Sequence, residues 1–516
     1  MQLRKLETAL DKIYRILVND EVLADTIASK VHRQYRLSAK NLYRYILLRS
    51  HDIRTIQGGL SELGISSLGS GAGYVSHNIS SALRLITLLR DKKWEGNADM
   101  EVIGFAKSKK LLQKHANILF RSEKKLHNTQ VMVTMPDEAA HDKELLKRLM
   151  NSGMEIARIN LSHGDQELWD KTLHNLRTIS SQLELPITIY MDLPGPKIRT
   201  TTIYAKEKSK PGLFPAESLK INTKDHLLLR KDDAVQQTNN LRLLQNEVPI
   251  VCVSLPQIID DLKVGQRVFF DDGTIEALAI EKSADGVLLE IMNAYKKKLA
   301  SAKGINLPDT HLNLPSLTPE DLELLPFVTK NADLIGYSFV RNAEDVAILY
   351  GELQKADDTK TGVIFKVENV EAFENLPAIL FQAMKRPKIG VMIARGDLAV
   401  EVGFDRISEV QNQIMLFCEA AHVPVIWATQ VLDNLAKKGI ATRAEISDVT
   451  ISAQAECVML NKGPYIVEAV ETLKNILQRM ATHTQKKKNT LRTLKVAKAN
   501  LRKLKKEYTP TRTLSQ

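Results

Sequence analysis

The chain has 516 residues, 44% hydrophobic and 26% charged, which is ordinary for a globular protein and enough to bury a core across more than one domain. No apolar run approaches the roughly 18 residues of a membrane span, the charged start MQLRKLETALDK lacks a signal peptide's apolar centre, and Cys252, Cys418 and Cys457 stand far apart with no C-x-x-C, so the expectation is a cytoplasmic protein without disulfides or zinc. The formal charge of +11 is concentrated at one end, where residues 486–512 hold eleven Lys or Arg against Glu507 alone, leaving +1 for everything else.

From Met1 to about residue 127 the pattern is helical. Leu6, Leu10, Ile13 and Leu17 form one apolar stripe, and Ile53, Ile56, Leu60 and Leu63 form another. Asp52 and Asn78 are expected as helix caps and Gly64 as a stop. The GSGAG run at 69–73 has no preceding strand and no following Lys-Ser or Lys-Thr, so it predicts a flexible helix connection rather than a phosphate loop.

At Val131 the texture changes to short apolar runs alternating with amphipathic helices, the mark of a parallel sheet with helical crossovers. In RINLSHG, the residues Arg158, Asn160 and Ser162 fall at spacing two and share one face, while Ile159 and Leu161 share the other. A polar face on a strand with apolar flanks points to a site, because buried polar groups without partners are costly. Alternation stops near Thr201. The Lys-rich stretch to about Ala302, with a strong turn at Asp271-Asp272-Gly273, predicts an inserted β-domain. Five more strand-helix units follow, which with the three before make eight and predict a (β/α)8 barrel, an α/β fold. The expected organisation is a helical domain at 1–127, barrel at 128–200 and 303–482, insert at 201–302 and a basic tail at 483–516.

The stretch from Ile364 to Val402 carries the chemistry. Lys366 and Glu368 follow an apolar run at spacing two, and Arg395-Gly396-Asp397 ends the next run, so both sets fall at C-terminal strand ends, where such barrels place their sites. Glu368 and Asp397 are expected neighbours that need a divalent cation or a shared proton between them. The competing reading is a salt-bridged structural pair.

Nine motifs in order, RINLSHG, DLPGPKIRT, FDDG, KGINLP, SFVR, KVEN, ARGDLAVE, ATQVLDN and TRAEISDV, resemble the pyruvate kinase family over about residues 131–480. The resemblance implies conversion of phosphoenolpyruvate and ADP to pyruvate and ATP, with Mg2+, or Mn2+ in its place, on Glu368 and Asp397. It implies that Lys366 and Arg158 act on the phosphoryl group, that Arg199 and the amides of Gly396 and Asp397 bind substrate, and that Thr429 lies near the enolate. Thr134, His163 and Lys303 would line the nucleotide side, with Asp272 closing over it from the lid. Asn160, Ser162 and Asp192 match a K+ site. Dependence on K+ goes in the family with a Glu where this chain has Lys197, so K+ is expected to be unnecessary.

The chain departs from the family pattern at TMPDEA in the first strand's end, at MLNKGPYIVEAV in the eighth, and after Met480, where a regulatory domain is replaced by the tail. A homo-oligomer is implied. Two other readings compete: a Mg2+-dependent barrel enzyme on another 2-oxoacid or enolate, and a scaffold that binds nucleic acid or acidic surfaces through the tail. The segment from Lys486 to Lys506 predicts an amphipathic helix with Leu491, Leu494, Leu501 and Leu504 on one side, packed as a strap or solvated, in preference to a polyanion-binding element.

Overall fold

The computed structural model describes residues 2–65, 68–96, 101–121, 129–206, 213–231, 248–480 and 493–508. Eight parallel strands, Gln130–Thr134, Ile156–Asn160, Thr188–Asp192, Leu334–Tyr337, Gly362–Val367, Ile389–Ala394, Val425–Ala428 and Cys457–Leu460, close into a barrel in chain order, the eighth pairing with the first. They are the eight strands expected from the alternation.

Period two decides what each strand presents. Val363, Phe365, Val391 and Ile393 join the core between strands and outer helices, whereas Ile364 and Met392 join a separate cluster inside the barrel. Two residues beyond Ile364 comes Lys366, so the alternation that fills the barrel floor also delivers a lysine to its mouth.

Helix Phe105–Phe120 closes the opposite end. Ala116, Leu119 and Phe120 belong to the cluster inside the barrel, and Thr188 Oγ1 donates to the Phe120 carbonyl at 3.0 Å. Gly362 and Gly390 make room for it, since a Cβ on either would stand 2.9 or 2.8 Å from a Leu119 methyl. The other N-terminal helices, from Gln2–Asn19 to Val75–Leu88, bury Leu6, Leu10, Ile13 and Leu17 as expected, in the same continuous core as the barrel's outer shell.

Three local expectations change. Leu63 is exposed because its helix ends at Glu62 and Gly64 turns the chain with φ +69, as a stop should. Asn78 lies within helix Val75–Leu88 and caps nothing; the Val75 amide is instead received by Asn41 Oδ1 at 3.0 Å. Asp52 accepts from the Arg54 amide at 3.1 Å, one residue before the N-cap, Ile53. The GSGAG connection is largely buried against the barrel, with the Gly73 carbonyl 2.9 Å from His422 Nε2.

Among its described residues the insert holds an eight-stranded sheet and a two-stranded one; the larger runs from Thr200 and takes in Ile305–Asn306, a return strand paired with Arg267–Phe270 beyond the expected edge at 302. Its Asp271-Asp272-Gly273 turn joins antiparallel strands, all three residues at positive φ. At the other end of the chain, helix Lys495–Tyr508 buries Leu494 and Leu504, half-buries Leu501, and packs against Arg36–Arg49 and Leu376–Ala383. Leu491 and the rest of 486–492 lie outside the described residues. Among those described, no helix is long and apolar enough to cross a membrane.

Candidate active site

A cavity of about 370 Å3 opens at the C-terminal mouth of the barrel beneath the insert. Arg158, Asn160, Ser162, His163, Lys197, Arg199, Asp272, Lys303, Lys366, Glu368, Asp397 and Thr429 line it, so most sequence-predicted site residues converge here from seven separate motifs. Thr134 and Asp192 stand behind the wall as supports.

Asp192 is the floor of the charge network. It is buried; its Oδ2 accepts from Arg158 Nε at 2.6 Å, and its Oδ1 accepts from Tyr190 OH at 2.5 Å and has Lys366 Nζ 3.6 Å away. Burial opposes its charge, but Arg158 and Lys366 outweigh that and hold the carboxyl below the usual range. The network is possible because residue 336 is glycine: a Cβ there would lie 2.0 Å from Asp192 Oδ1 and 2.1 Å from the Tyr190 hydroxyl. Arg158 also donates to Thr134 Oγ1 at 2.9 Å, which gives Thr134 an orienting role rather than a place in the cavity.

Lys366 Nζ donates to Ser338 Oγ at 2.8 Å and pairs with Glu368 Oε1 at 3.1 Å. Burial favours its neutral form, yet Asp192 and Glu368 raise its pKa above the ordinary lysine value, so it stays cationic. Glu368 Oε2 accepts from the Phe339 amide at 2.7 Å, and burial raises its pKa against the pull of Lys366, with Asp397 adding to the rise. Asp397 is paired with Lys197, whose Nζ lies 3.0 and 3.1 Å from its two oxygens. Lys197 therefore points into the cavity rather than to solvent. Each of the two carboxylates is held by its own lysine.

Asn160 Oδ1 accepts from the Ser162 amide at 3.3 Å, and both residues line the cavity, while Asp192, expected to share a cation with them, is satisfied by Arg158 and Tyr190. The Gly396 amide donates to Thr429 Oγ1 at 2.8 Å, so a carboxylate received there would displace a hydroxyl. Thr429 has φ +64, a strained conformation for a β-branched residue, and Arg395 holds that turn by donating to the Ala428 and Thr429 carbonyls and to Asp448. On the far wall, His163 has its pKa lowered by burial and by Arg199 and Lys462 nearby. In the lid, Asp271 pairs with Lys303 at 3.2 Å and with Lys296.

Sequence reasoning gave no role to Ser338, Tyr190, Asn306, Glu401 or Asp448. Ser338, Asn306, Glu401 and Asp448 fall within matched motifs, but their partners are distant in sequence; Tyr190 stood in an apolar run, and only the inward position it shares with Asp192 marks it.

The class of protein is thus a (β/α)8 barrel with a β-domain inserted after its third strand, roofing a mouth of paired lysines and carboxylates. The family description "Pyruvate kinase, barrel domain" matches residues 126–470. A pyruvate kinase of Trypanoplasma borreli is 33% identical over 369 residues, covering 70% of this chain and 67% of that protein. Those of Bacillus licheniformis and Geobacillus stearothermophilus are 32% and 33% identical, covering 69% and 68% of this chain. The chain spans only 57% and 56% of the length of these last two. It belongs to the pyruvate kinase family.

Proposed function

We propose that this chain transfers the phosphoryl group of phosphoenolpyruvate to a nucleoside diphosphate, ADP, releasing pyruvate and the triphosphate, the last step of glycolysis. The observation that carries this reading is Lys366, kept charged inside a cavity by two carboxylates, beside Arg158 and opposite Asp397. Fixed positive charge of this kind stabilises a phosphoryl group whose charge spreads over its oxygens in flight.

Glu368 and Asp397 suit Mg2+ or Mn2+ in donor chemistry, since both offer hard carboxylate oxygens to one cavity. Among the described residues no cluster of three or more metal-binding side chains exists, so substrate and water would complete the coordination. Bound there, the ion would neutralise phosphate and enolate oxygens. Lys366 and Arg158 would hold the phosphoryl group, Arg199 and the Gly396 and Asp397 amides the substrate, and Thr429 would pass a proton to the enolate through water, being too weak an acid alone. His163 and Lys303 would face the nucleotide, with Thr134 behind Arg158 and Asp272 on the lid. Lys197 would supply charge in place of K+. A homo-oligomer in the cytoplasm goes with this reading.

Pyruvate formation from phosphoenolpyruvate, measured with several nucleoside diphosphates and Mg2+, tests the proposal. Turnover with at least one diphosphate is expected; none with any would remove it.

A further inference from the structure

Glu401 lies one turn beyond Asp397 on helix Arg395–Val402 and lines a second cavity, of about 280 Å3, that shares Glu368 and Phe339 with the first. Asp192, Glu368 and Asp397 each face a Lys or Arg. Glu401 is held differently. Asn306 Nδ2 donates to its Oε1 at 3.2 Å and stands 3.5 Å from Asp397 Oδ1, while Leu307 and Val370 line the same cavity beside it, where the helix that starts at Val370 packs on the helix that carries Glu401.

These neighbours come from two segments far apart in sequence. Asn306 and Leu307 belong to the return strand of the insert, where Asn306 pairs with Phe269, two residues before the Asp271-Asp272 turn that roofs the cavity. Val370 is the first residue of helix Val370–Glu374, two residues after Glu368. Glu401 is half-buried, its donor Asn306 sits on the return strand of the insert and its neighbour Val370 on the segment behind Glu368, so both contacts belong to elements that position part of the site.

We infer that Glu401 is a positioning residue, a clamp that ties the lid's return strand and the segment behind Glu368 to the helix carrying Asp397, so that lid and carboxylate pair keep one geometry. The inference deepens the proposed function, since it takes Glu368 and Asp397 as the divalent-cation site. Asn306 is its second member, reaching Asp397 and Glu401 with one amide. The side chain touches neither substrate nor cation itself.

The test uses the full chain as wild type, Glu401→Ala, Glu401→Gln and Asn306→Ala, with two measurements. By amide hydrogen exchange, Glu401→Ala should exchange about tenfold faster in both 303–309 and 369–373 while the barrel strands stay protected, and Glu401→Gln, which keeps one acceptor oxygen, should recover part of that protection. By electron paramagnetic resonance of Mn2+, binding should weaken about tenfold in Glu401→Ala and Asn306→Ala, a typical loss for an outer-shell partner of a metal ligand. Unchanged exchange, or loosening confined to one segment, overturns the clamp; loosening of both with unchanged Mn2+ affinity overturns its role in the site. Should Glu401→Ala fail to fold, Asn306→Ala decides: faster exchange in 303–309 with weaker Mn2+ binding supports the clamp, and unchanged exchange there or unchanged Mn2+ affinity overturns it. A wild type that binds no Mn2+ overturns the cation site and the metal half of the inference, and the exchange result then decides the clamp by itself.

Discussion

Lys366 owes its charge to the carboxylates around it, and these face Arg158, Lys366 and Lys197 in turn, so the site is balanced before any ligand arrives. Lys366→Met keeps the length of the side chain and removes the charge, which should lower turnover about a hundredfold or more, the usual loss when one donor to a transition state is deleted. Circular dichroism should stay native, although Glu368 is left beside Asp397 without its lysine. Near-normal turnover would end the catalytic assignment. Lys197 makes a second test. Its ammonium sits 3.0 Å from Asp397 in the cavity, so it already places a positive charge where a Glu would add a negative one. Wild-type turnover should be the same with K+ as with a bulky organic cation, and Lys197→Glu should gain K+ dependence; strong K+ activation of the wild type would refute this. Lys366, Glu368 and Asp397 were legible in the sequence because each falls at or just beyond the C-terminal end of an apolar strand run, and the two runs are neighbouring strands. Ser338 and Glu401 were not, because their roles are set by partners at Lys366 and Asn306 that only the fold brings near.

The element that most conditions the barrel from outside is helix Phe105–Phe120. Its His115 is buried, 4.4 Å from the Tyr35 ring centroid, with Nδ1 2.7 Å from the His422 carbonyl, so the neutral ring carries its proton on Nδ1 and donates it there. Burial lowers its pKa to about 4. A histidine depressed in the folded state adds stability above its unfolded pKa near 6.5 and loses it as pH falls toward 4. The full swing is about 3 kcal/mol by the usual conversion of pKa shift to free energy. Thermal unfolding of wild type against His115→Gln should therefore show a steeper loss between pH 6.5 and 4 in the wild type. Equal slopes would mean that His115 does not govern acid stability. The helical pattern of this segment could be read in advance, but its place under the barrel could not. Gly362 and Gly390 mark that place, and a strand glycine reveals a close neighbour only once the neighbour is known.

At the scale of the whole molecule the helical N-terminal region, the barrel and the end of the chain share one core, although composition separates them cleanly. The sequence predicted the last helix as amphipathic and favoured a packed or solvated reading over a polyanion-binding one; its described part is packed. Leu494, Val496, Ala497, Asn500 and Leu504 are buried while Lys495, Lys498, Arg502, Lys503, Lys505 and Lys506 are exposed. Asn500 Nδ2 donates to the Glu374 carbonyl at 2.6 Å, Lys503 Nζ to Asn375 Oδ1 at 2.8 Å, and Lys505 pairs with Asp20 at 3.0 Å, so one helix joins the N-terminal region to the segment behind Glu368. Each large apolar side chain it buries is worth about 1.5–3 kcal/mol. Truncation after His483 should then lower the thermal midpoint by several degrees, at about one degree per kcal/mol for a chain of this length, and expose apolar surface to a hydrophobic dye. If the charged face also served a polyanion, wild type would bind nucleic acid with an affinity that falls steeply with salt, and the truncated chain would not. Because the apolar face is occupied by the protein itself, the expected result is a loss of stability with no salt-dependent binding to lose. A truncated chain with an unchanged midpoint would show that the helix contributes nothing to the core it covers.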